Sequence, residues 1–510
     1  MVIQTGLLLS FLSLSRAISI SVPGPAPSNA SKYVDPDFPG LAFEQASLVE
    51  YFQNRDGSFN NFSQNLIDAI FNRTGGTPLI RLGGTSADYG HYLPDQTTPA
   101  LPRAEADNYQ DIGNTTIGPA YWELTKSFPN AKFIIQLPMA ISNVSEAVAW
   151  AKSAAEIIGM DRIQAFEPGN EVDMYPDPQL MPPIYQGRLN NETYVGNFTK
   201  YAAGVADAVQ LPDGPFFQAF DTALHTLHVP TCFDLGINRN NIVKTVAQHY
   251  YQTNGGGASD LATGLMNHKA IAGQLDLFRP AIDYLAKEHP DIPYVMSEVG
   301  NSLNAKHDYD YQATLGSALW QVDFQLYGLT IGVAKFNFQQ IMHSGFDLWL
   351  PVDSAGIPAQ VFSNFYAQPF VADFVGSSGM TQVAQLTATG AGDNVVAYGA
   401  FVNGQAERVA VVNLNYWSSV FSDGPRSNVS ISVNVPESVG SVVVGRLASP
   451  GGASAHADTM TYGGSQWTYD SLGQEVKNVV NDTQVLLVQD GAVVVEVLDS
   501  EAVILQLNGP

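Results

Sequence analysis

The sequence predicts a (β/α)8 barrel followed by a C-terminal antiparallel β-sandwich. From about residue 40 to 375, short β-rich runs alternate with longer amphipathic stretches, a pattern typical of repeated βα units and a parallel sheet. Eight such runs can be counted, which is the strand number of this barrel. Beyond about residue 378 the segments become short, alternating and rich in valine. We expect the barrel over residues 38–377 and the sandwich over 378–510.

The candidate barrel strands are apolar runs that end in turns. In chain order they are Leu41–Gln45, Pro78–Gly83, Lys132–Leu137, Arg162–Phe166, Phe216–Phe220, Thr245–Tyr250, Pro293–Ser297 and Val333–Phe338. Helical periodicity is clearest between them in Asn143–Ile158, Leu261–Glu288 and Tyr311–Leu329. In a barrel of this type, the reactive groups lie at the carboxyl ends of the strands.

The candidate sandwich strands alternate apolar and polar residues and are separated by Gly, Asn, Asp and Pro. They are Asn394–Phe401, Arg408–Leu414, Val429–Val435, Ser441–Leu447, Gln484–Gln489 and Val493–Leu507. Short strands at this spacing favour an antiparallel sandwich. The run Ile18–Val22, within the segment 18–37, also alternates. We expect it to add a strand to the sandwich.

The N-terminal residues predict secretion. The apolar run 6–14 is too short to span a bilayer and is followed by small residues around Ala17, as in a signal peptide over residues 1–17, although no Lys or Arg precedes it. Nine Asn-x-Ser/Thr sequons fit an extracellular protein with N-glycans on several of them: Asn29, Asn61, Asn72, Asn114, Asn143, Asn191, Asn197, Asn428 and Asn481. A single cysteine, Cys232, excludes an intramolecular disulfide and is expected to be a small buried hydrophobe.

The charge of the chain excludes some classes of partner. Lys and Arg total 23 against 48 Asp and Glu, for a net charge of −25. So little basic surface argues against nucleic acid and against an anionic membrane as partners. Long polyanionic polysaccharides would also be repelled.

Two glutamates carry the functional prediction. Glu171 ends the stretch Phe166-Glu167-Pro168-Gly169-Asn170-Glu171, and Glu298 lies in Pro293-Tyr294-Val295-Met296-Ser297-Glu298-Val299-Gly300. Each lies where an apolar, strand-like run ends, after the fourth and seventh candidate strands. A retaining glycosidase needs one carboxylic acid to protonate the leaving oxygen and one carboxylate to attack the anomeric carbon. We expect Glu171 to be the acid/base and Glu298 the nucleophile.

The Asn-Glu dipeptide alone is a weak signal, because Asn191-Glu192 also occurs and doubles as part of a glycosylation sequon. Context separates the two. Asn170-Glu171 follows an apolar strand and a Pro-Gly turn, whereas Asn191-Glu192 lies in a polar stretch with no strand before it.

Four motifs together resemble glycoside hydrolase family 79, the family of β-glucuronidases and heparanase. They are Glu167-Pro168-Gly169-Asn170-Glu171, Ser297-Glu298, Ile80-Arg81-Leu82-Gly83-Gly84-Thr85-Ser86-Ala87-Asp88 and Gln248-His249-Tyr250-Tyr251. The resemblance covers the barrel and the sandwich, and therefore nearly all of the mature chain. It implies a retaining mechanism in a barrel whose acid/base and nucleophile follow strands four and seven.

The resemblance also implies roles for three further residues. Asn170 resembles the residue that binds the sugar 2-hydroxyl, although a turn asparagine is the alternative. Asp88 resembles the carboxylate that binds ring hydroxyls, or else it caps a helix. Tyr250 resembles the tyrosine whose hydroxyl holds the nucleophile and keeps Glu298 ionised, or else it is a core tyrosine. His249 is expected only to pack beside it.

Two charged residues at the ends of early strands face the same mouth. Arg81 is expected to pair with Glu298 or Glu171 and shift a pKa, or to form a structural ion pair inside the barrel. Glu44 is a candidate sugar contact.

The chain departs from the family where the substrate carboxylate would bind. Family members acting on glucuronides have a tyrosine and a glycine-rich turn just after the nucleophile and a second tyrosine after strand eight. At the corresponding positions this chain has Leu303, Asn304, Ala305 and Phe346. Both phenols are therefore missing.

Other groups could still receive a carboxylate. The backbone amides of Asn304 and Ala305 are candidates, and Lys306, His307 or His343 could supply positive charge. Alternatively, the pocket accepts a neutral or 4-O-methylated sugar, because Leu and Phe suit apolar contact better than charge.

The resulting prediction is a secreted, retaining exo-β-glycosidase that removes terminal β-glucuronosyl or 4-O-methyl-glucuronosyl residues from glycans. A β-glycosidase for a neutral sugar is the first alternative, and an endo-acting, heparanase-like enzyme is the second. A non-catalytic carbohydrate-binding protein is a third, which the presence of both glutamates argues against. The histidines lack metal-ligand spacing such as His-Glu-x-x-His, and no Gly-x-Ser-x-Gly turn ends a candidate strand, so neither a metal nor another cofactor is predicted.

Overall fold

Eight parallel strands close into a barrel in a computed structural model that describes residues 18–101, 115–175, 187–303, 309–342, 345–354 and 356–507. Each strand pairs with the next along the chain, and the eighth pairs with the first. The strands are Pro39–Glu44, Leu79–Gly83, Lys132–Leu137, Ile163–Pro168, Phe217–Thr222, Val243–Thr253, Tyr294–Ser302 and Val333–Gln340. The predicted barrel and all eight of its strands are confirmed.

Strands six and seven run further than the sequence indicates. The seventh is buried along its whole length and extends to Ser302, so Glu298 lies within the strand instead of after it. The sixth extends to Thr253. Their pairing register shifts between Gln248 and His249, which changes the faces that the following side chains occupy.

Helices cover the outside of the barrel. The main ones, one after each strand, are Asn61–Thr74, Pro119–Glu123, Val144–Ile158, Asn191–Ala208, Val229–Asp234, Arg279–Glu288, Leu315–Ile331 and Ala367–Val375. The stretch Leu261–Glu288, predicted as one helical region, contains three α-helices, Leu261–Gly264, His268–Leu275 and Arg279–Glu288. Asn267 caps the second of them, and a proline lies in the first turn of the third.

Two antiparallel-rich sheets follow the barrel, as predicted. The seven-stranded sheet contains Thr381–Leu386, Val395–Val402, Gln405–Asn413, Ser441–Ala448, Thr461–Tyr462, Gln484–Leu487 and Glu501–Gln506. The four-stranded sheet contains Ala388–Thr389, Asn428–Asn434, Ala492–Leu498 and the N-terminal strand Ile18–Ser21. Ile18–Ser21 lies parallel to Asn428–Asn434 and buries Ile20 between the sheets.

One face of the seven-stranded sheet packs against the four-stranded sheet, and the opposite face packs against the barrel. The helix Leu315–Ile331 is buried on nearly all sides, because the barrel lies on one side of it and this sheet on the other. A charged bridge adds to this contact: Arg73 on a barrel helix binds Asp373 at 3.2 Å and Glu475 of the C-terminal region at 2.8 Å.

Some of the residues on which the prediction of secretion rests lie outside the described part of the chain. The predicted signal peptide 1–17 and Asn114 lie outside the described residues. Of the other sequon asparagines, Asn191 and Asn197 are half-buried and the remainder are exposed. Cys232 is buried, as predicted. Among the described residues, no helix combines the length and apolar character needed to cross a membrane.

Candidate active site

Glu171 and Glu298 face each other at the carboxyl end of the barrel. Glu171 lies just after the fourth strand, and Glu298 lies in the outer part of the seventh. One oxygen of each carboxylate, together with a ring nitrogen of His249, lies within 4.8 Å of the others. Glu298 is buried, whereas the side chain of Glu171 is 22% exposed. The more accessible group is the one expected to reach a leaving oxygen.

Two strong hydrogen bonds hold the carboxylate of Glu298. Arg81 donates from Nη1 to Oε2 at 2.7 Å, and Tyr251 donates from its hydroxyl to Oε1 at 2.7 Å. Burial alone would raise the pKa of Glu298, but the charges of His249 and Arg81 and the Tyr251 hydrogen bond outweigh burial and lower it. Glu298 is therefore held ionised, as a nucleophile requires.

The prediction that Tyr250 holds the nucleophile is wrong by one residue. Successive side chains on a strand point to opposite faces, and it is Tyr251 that faces Glu298. Tyr250 instead stacks on Phe324 at 4.9 Å between ring centroids, and its hydroxyl donates to Gln252. Phe346, which stands where a tyrosine was expected, packs edge-on against the Tyr251 ring at 5.4 Å and so fixes that ring in place.

His249 lies between the two glutamates, so the expectation that it merely packs nearby is also wrong. Its Nδ1 lies 3.1 Å from Oε1 of Glu171 and 3.8 Å from Oε2 of Glu298, and its Nε2 lies 3.7 Å from Oδ1 of Asp221. Burial would lower the pKa of His249, but the Glu298 charge and the Asp221 and Glu171 contacts raise it to about 10. At neutral pH the ring is an imidazolium.

Arg81 binds Glu298 and not Glu171, and it organises the floor of the site. Its Nη2 donates to Glu167 at 2.6 Å, to Gln136 at 3.0 Å and to Asn170 at 2.7 Å. Sequence reasoning gave no role to Glu167, although it lies in the motif that contains Glu171. Its position inside an apolar strand, where an unpaired glutamate would be costly, was the available signal.

Asn170 and Asp88 occupy different positions relative to the site. Oδ1 of Asn170 accepts from Arg81, which leaves its Nδ2 amide as the donor group of this side chain. Asp88 is buried and accepts hydrogen bonds from the backbone amides of Met139, Ala140 and Asn170 and from the hydroxyl of Tyr175. The expectation that Asp88 binds ring hydroxyls is therefore corrected: both of its oxygens already hold the loops around Asn170.

Glu44 is buried beside the same mouth. It accepts hydrogen bonds from the backbone amide and the hydroxyl of Ser86, and from Gln339 at 3.5 Å. Burial, opposed in part by the Ser86 hydrogen bonds, raises the pKa of Glu44 to about 7. As a sugar contact it stays a prediction.

The residues proposed to receive a substrate carboxylate are not described. Asn304, Ala305, Lys306 and His307 lie outside the described residues, as does His343. Leu303, the last residue before the first of these gaps, is exposed. The departure from the family pattern at this position therefore stays a prediction.

The cluster of Glu171, His249 and Glu298 has a spacing that could also approach a cation. Its chemistry argues for acid–base use instead. The guanidinium of Arg81 already pairs with Glu298 at 2.7 Å, so this carboxylate has less negative charge left for a cation.

Comparisons with known proteins find relatives of this chain among glycoside hydrolases. Residues 397–504 match the sequence model of the glycosyl hydrolase family 79 C-terminal beta domain. A β-glucuronidase from Aspergillus niger is 25% identical over 524 residues, covering 96% of this chain and 94% of that protein. A β-glucuronidase from Neurospora crassa is 24% identical over 435 residues, covering 80% and 76% respectively.

Solved structures share the fold. A 4-O-α-L-rhamnosyl-β-D-glucuronidase from Fusarium oxysporum 12S superimposes with a TM-score of 0.80 at 20% identity, covering 96% of this chain and all of that one. An arabinofuranosidase of family 51 from Xanthomonas axonopodis pv. citri has a TM-score of 0.64 at 15% identity, with the same coverage. Both likenesses concern the fold.

Proposed function

The comparisons support membership of glycoside hydrolase family 79, and on that premise we propose that the chain is a retaining exo-β-glucuronidase. The observation that carries this proposal is the placement of Glu171 and Glu298, with one oxygen of each within 4.8 Å of the other at the mouth of the barrel. Retaining glycosidases hold their two carboxyl groups about 5–5.5 Å apart, whereas inverting enzymes need about 6.5–9.5 Å to admit a water. The observed spacing favours retention.

In the proposed mechanism, Glu298 attacks the anomeric carbon while Glu171 protonates the glycosidic oxygen. The bond to the leaving group breaks as the bond to Oε of Glu298 forms, so a covalent glycosyl-enzyme results. The carboxylate left on Glu171 then faces the imidazolium of His249 at 3.1 Å. Glu171 next removes a proton from water, which displaces Glu298 from the sugar with a second inversion.

The other residues of the site orient the reactants. Arg81 and Tyr251 keep Glu298 ionised and fix its two oxygens. The Nδ2 amide of Asn170 is placed to donate to the sugar 2-hydroxyl, a contact that strengthens in the transition state. Asp88 holds the Asn170 backbone amide at 3.2 Å and so keeps this donor in position.

A uronate substrate would also bring a carboxylate into the site. A buried charge without partners is prohibitively costly, so a uronate needs donors near residue 303. Phe346, buried against Tyr251, offers no such donor. This observation favours a second candidate, a β-glycosidase for a neutral or 4-O-substituted sugar. We also propose that the protein is secreted and carries N-glycans, on the strength of its N-terminal sequence and its sequons.

A panel of chromogenic substrates tests the proposal. The purified protein is offered β-glucuronide, 4-O-methyl-β-glucuronide, β-glucoside, β-galactoside and β-xyloside, and the anomer first released is identified by NMR. We expect hydrolysis of a glucuronide with β-product formed first. Preference for a neutral glycoside would replace the uronate assignment by the second candidate, and first release of the α-anomer would contradict retention.

A further inference from the structure

Asp221 is buried beside His249 and contacts the segments that carry both proposed catalytic glutamates. It lies near the end of the fifth barrel strand, Phe217–Thr222, and is 1% exposed. Its Oδ1 accepts from the hydroxyl of Ser297 at 2.5 Å and from Nε2 of Gln218 at 3.2 Å. The same oxygen lies 3.7 Å from Nε2 of His249. Ser297 directly precedes the proposed nucleophile.

The backbone around Asp221 is strained and firmly held. Phe220 and Asp221 have φ angles of 82° and 45°, in the left-handed region that non-glycine residues rarely adopt. The amide of Phe220 is held by the hydroxyl of Tyr194 at 2.5 Å, and the carbonyl of Asp221 accepts from the amide of Glu171 at 2.7 Å. Glu171 itself has a φ of 48°. Such strain persists where the surroundings over-determine it, which is common at functional sites.

We propose that Asp221 is the positioning residue that anchors His249 between the two catalytic carboxylates. The inference rests on the proposed function, because it assigns those carboxylates to Glu171 and Glu298. Through its side chain Asp221 contacts His249 and the residue before the nucleophile, and through its carbonyl it holds the acid/base.

The charge of Asp221 matters because of what surrounds the His249 ring. The charged groups that face it are Glu171, Glu298, Asp221, Glu167 and Arg81. Nε2 has no hydrogen-bond partner within the ordinary range, so the carboxylate of Asp221 at 3.7 Å is the negative charge on that side of the ring. Without it, the Nε2 proton would face a buried site to which Arg81 adds positive charge.

A neutral His249 would change the site in two ways. It would withdraw a positive charge from between Glu171 and Glu298, and one ring nitrogen would become an acceptor. The Nδ1–H tautomer could still donate to Glu171, but without the positive charge of the imidazolium. The proposed consequence is a loss of turnover without a loss of fold.

The test compares Asp221→Asn with Asp173→Asn. Asp221→Asn keeps the shape of the side chain and an acceptor for Ser297 but removes the negative charge. Asp173 is a matched control, because it is also buried and holds the loop after the same strand, through the amides of Ala223 and Leu224 and the hydroxyl of Thr226. The readouts are the pH titration of the His249 ring by NMR of histidine-labelled protein, thermal unfolding, and kcat/KM on the best substrate of the panel. His249→Gln identifies the signal.

We expect His249 of the unsubstituted protein to stay charged to above pH 9, and to titrate at least about one pH unit lower in Asp221→Asn, with the alkaline fall of kcat/KM moved to lower pH by the same amount. Asp173→Asn should leave the titration unchanged. An identical titration in Asp221→Asn would overturn the proposal. So would titration of His249 near 6.5 in the unsubstituted protein, a result that decides the matter even if Asp221→Asn fails to fold. If the protein cleaves no substrate of the panel, the proposed function is wrong. The titrations still test the role of Asp221 in that case.

Discussion

The hydroxyl of Tyr251 lies 2.7 Å from Oε1 of Glu298, on the oxygen that Arg81 does not bind. Removing this hydrogen bond should weaken the nucleophile without disturbing the core. A hydrogen bond to a charged group contributes about 1.5–3 kcal/mol. We therefore expect Tyr251→Phe to lower kcat/KM by roughly 10- to 150-fold, measured on the chromogenic substrate that the protein cleaves best.

Tyr250→Phe is the matched control for this substitution. Its hydroxyl donates to Gln252 and Gln274, away from the glutamates, so its loss should reduce thermal stability slightly and leave kcat/KM within about twofold. Equal loss of activity in the two variants would contradict the assignment of Tyr251 as the nucleophile's partner.

The pH dependence of kcat/KM should also differ between these two variants. The pKa of Glu298 is lowered from the ordinary glutamate value of 4.5, and the enzyme needs this group ionised. Activity should therefore fall only as the pH drops below about 4.5, and stability contributed by Glu298 should be lost over the same range. Tyr251→Phe removes one cause of the lowering, so the acid limb of kcat/KM should move to higher pH.

Measurement of kcat/KM from about pH 3 to 8 checks this shift. The acid limb of Tyr250→Phe should coincide with that of the unsubstituted protein. An acid limb that stays in place in Tyr251→Phe would mean that a group other than Glu298 controls it, and a limb near pH 7 in both proteins would indicate Glu44.

The two glutamates can be separated by their response to an external nucleophile. Glu298→Ala should abolish turnover, because no covalent intermediate can form. Glu171→Ala should keep slow glycosylation of substrates whose leaving group needs no proton, and added azide should accelerate it by attacking the intermediate. Steady-state rates with dinitrophenyl and alkyl glycosides, with and without azide, measure both effects.

Glu192→Ala is a control for the Asn-Glu motif, since the side chain of Glu192 is exposed in the first turn of the helix Asn191–Ala208 and should be dispensable. If neither Glu171→Ala nor Glu298→Ala lowered activity by at least about 10²-fold, the scale of acid–base catalysis, the assignment would be wrong.

The fold was predictable because short β-rich runs recur along the barrel between stretches with helical periodicity. Strands buried on both faces lack the alternation that would make their ends uncertain, and all eight were found. The strand Thr381–Leu386 was missed, although its alternating Thr381-Gln382-Val383-Ala384 pattern was a usable signal. The predicted strands six and seven were too short, because the outer ends of these strands consist of polar residues that belong to the site.

The site was only partly predictable, for two physical reasons. Adjacent tyrosines point to opposite sides of a strand, and the register shift between Gln248 and His249 determines which one faces inward. The polar network beneath the glutamates joins residues distant in sequence: Arg81 and Glu167 are 86 positions apart, and Ser297 and Asp221 are 76 apart. Such pairings depend on the closed barrel, so the local sequence did not reveal the partners of Asp221 and Glu167.

The last prediction concerns the contact between the barrel and the sandwich. Asp323, on the barrel helix Leu315–Ile331, is buried and accepts from Nδ1 of His268 at 2.8 Å and from the hydroxyl of Tyr398 in the sandwich at 2.5 Å. Burial would lower the pKa of His268, but Asp323 and, more distantly, Asp393 raise it. The bridge is therefore strongest with His268 protonated.

The sign of the pH dependence follows from this raised pKa. Stability from His268 is fully present below the unfolded value near 6.5 and is lost as pH rises through the higher folded value. We expect the Tm to decline over that range in the unsubstituted protein and this decline to be absent in His268→Gln. Removing one partner of a buried ion pair costs about 3–5 kcal/mol, and because the side chain of His268 is 13% exposed we expect the lower end.

His456→Gln is the matched control, because His456 of the sandwich pairs with Asp310 of the barrel, but Asp310 is largely exposed. An exposed pair contributes about 0–1 kcal/mol, so this variant should keep both the Tm and its pH dependence. Thermal unfolding followed by circular dichroism from pH 5 to 9 distinguishes the two. If the Tm of His268→Gln still depends on pH, the contact between the two domains is insensitive to this histidine. The non-titrating bridge from Arg73 to Asp373 and Glu475 would then support that contact instead.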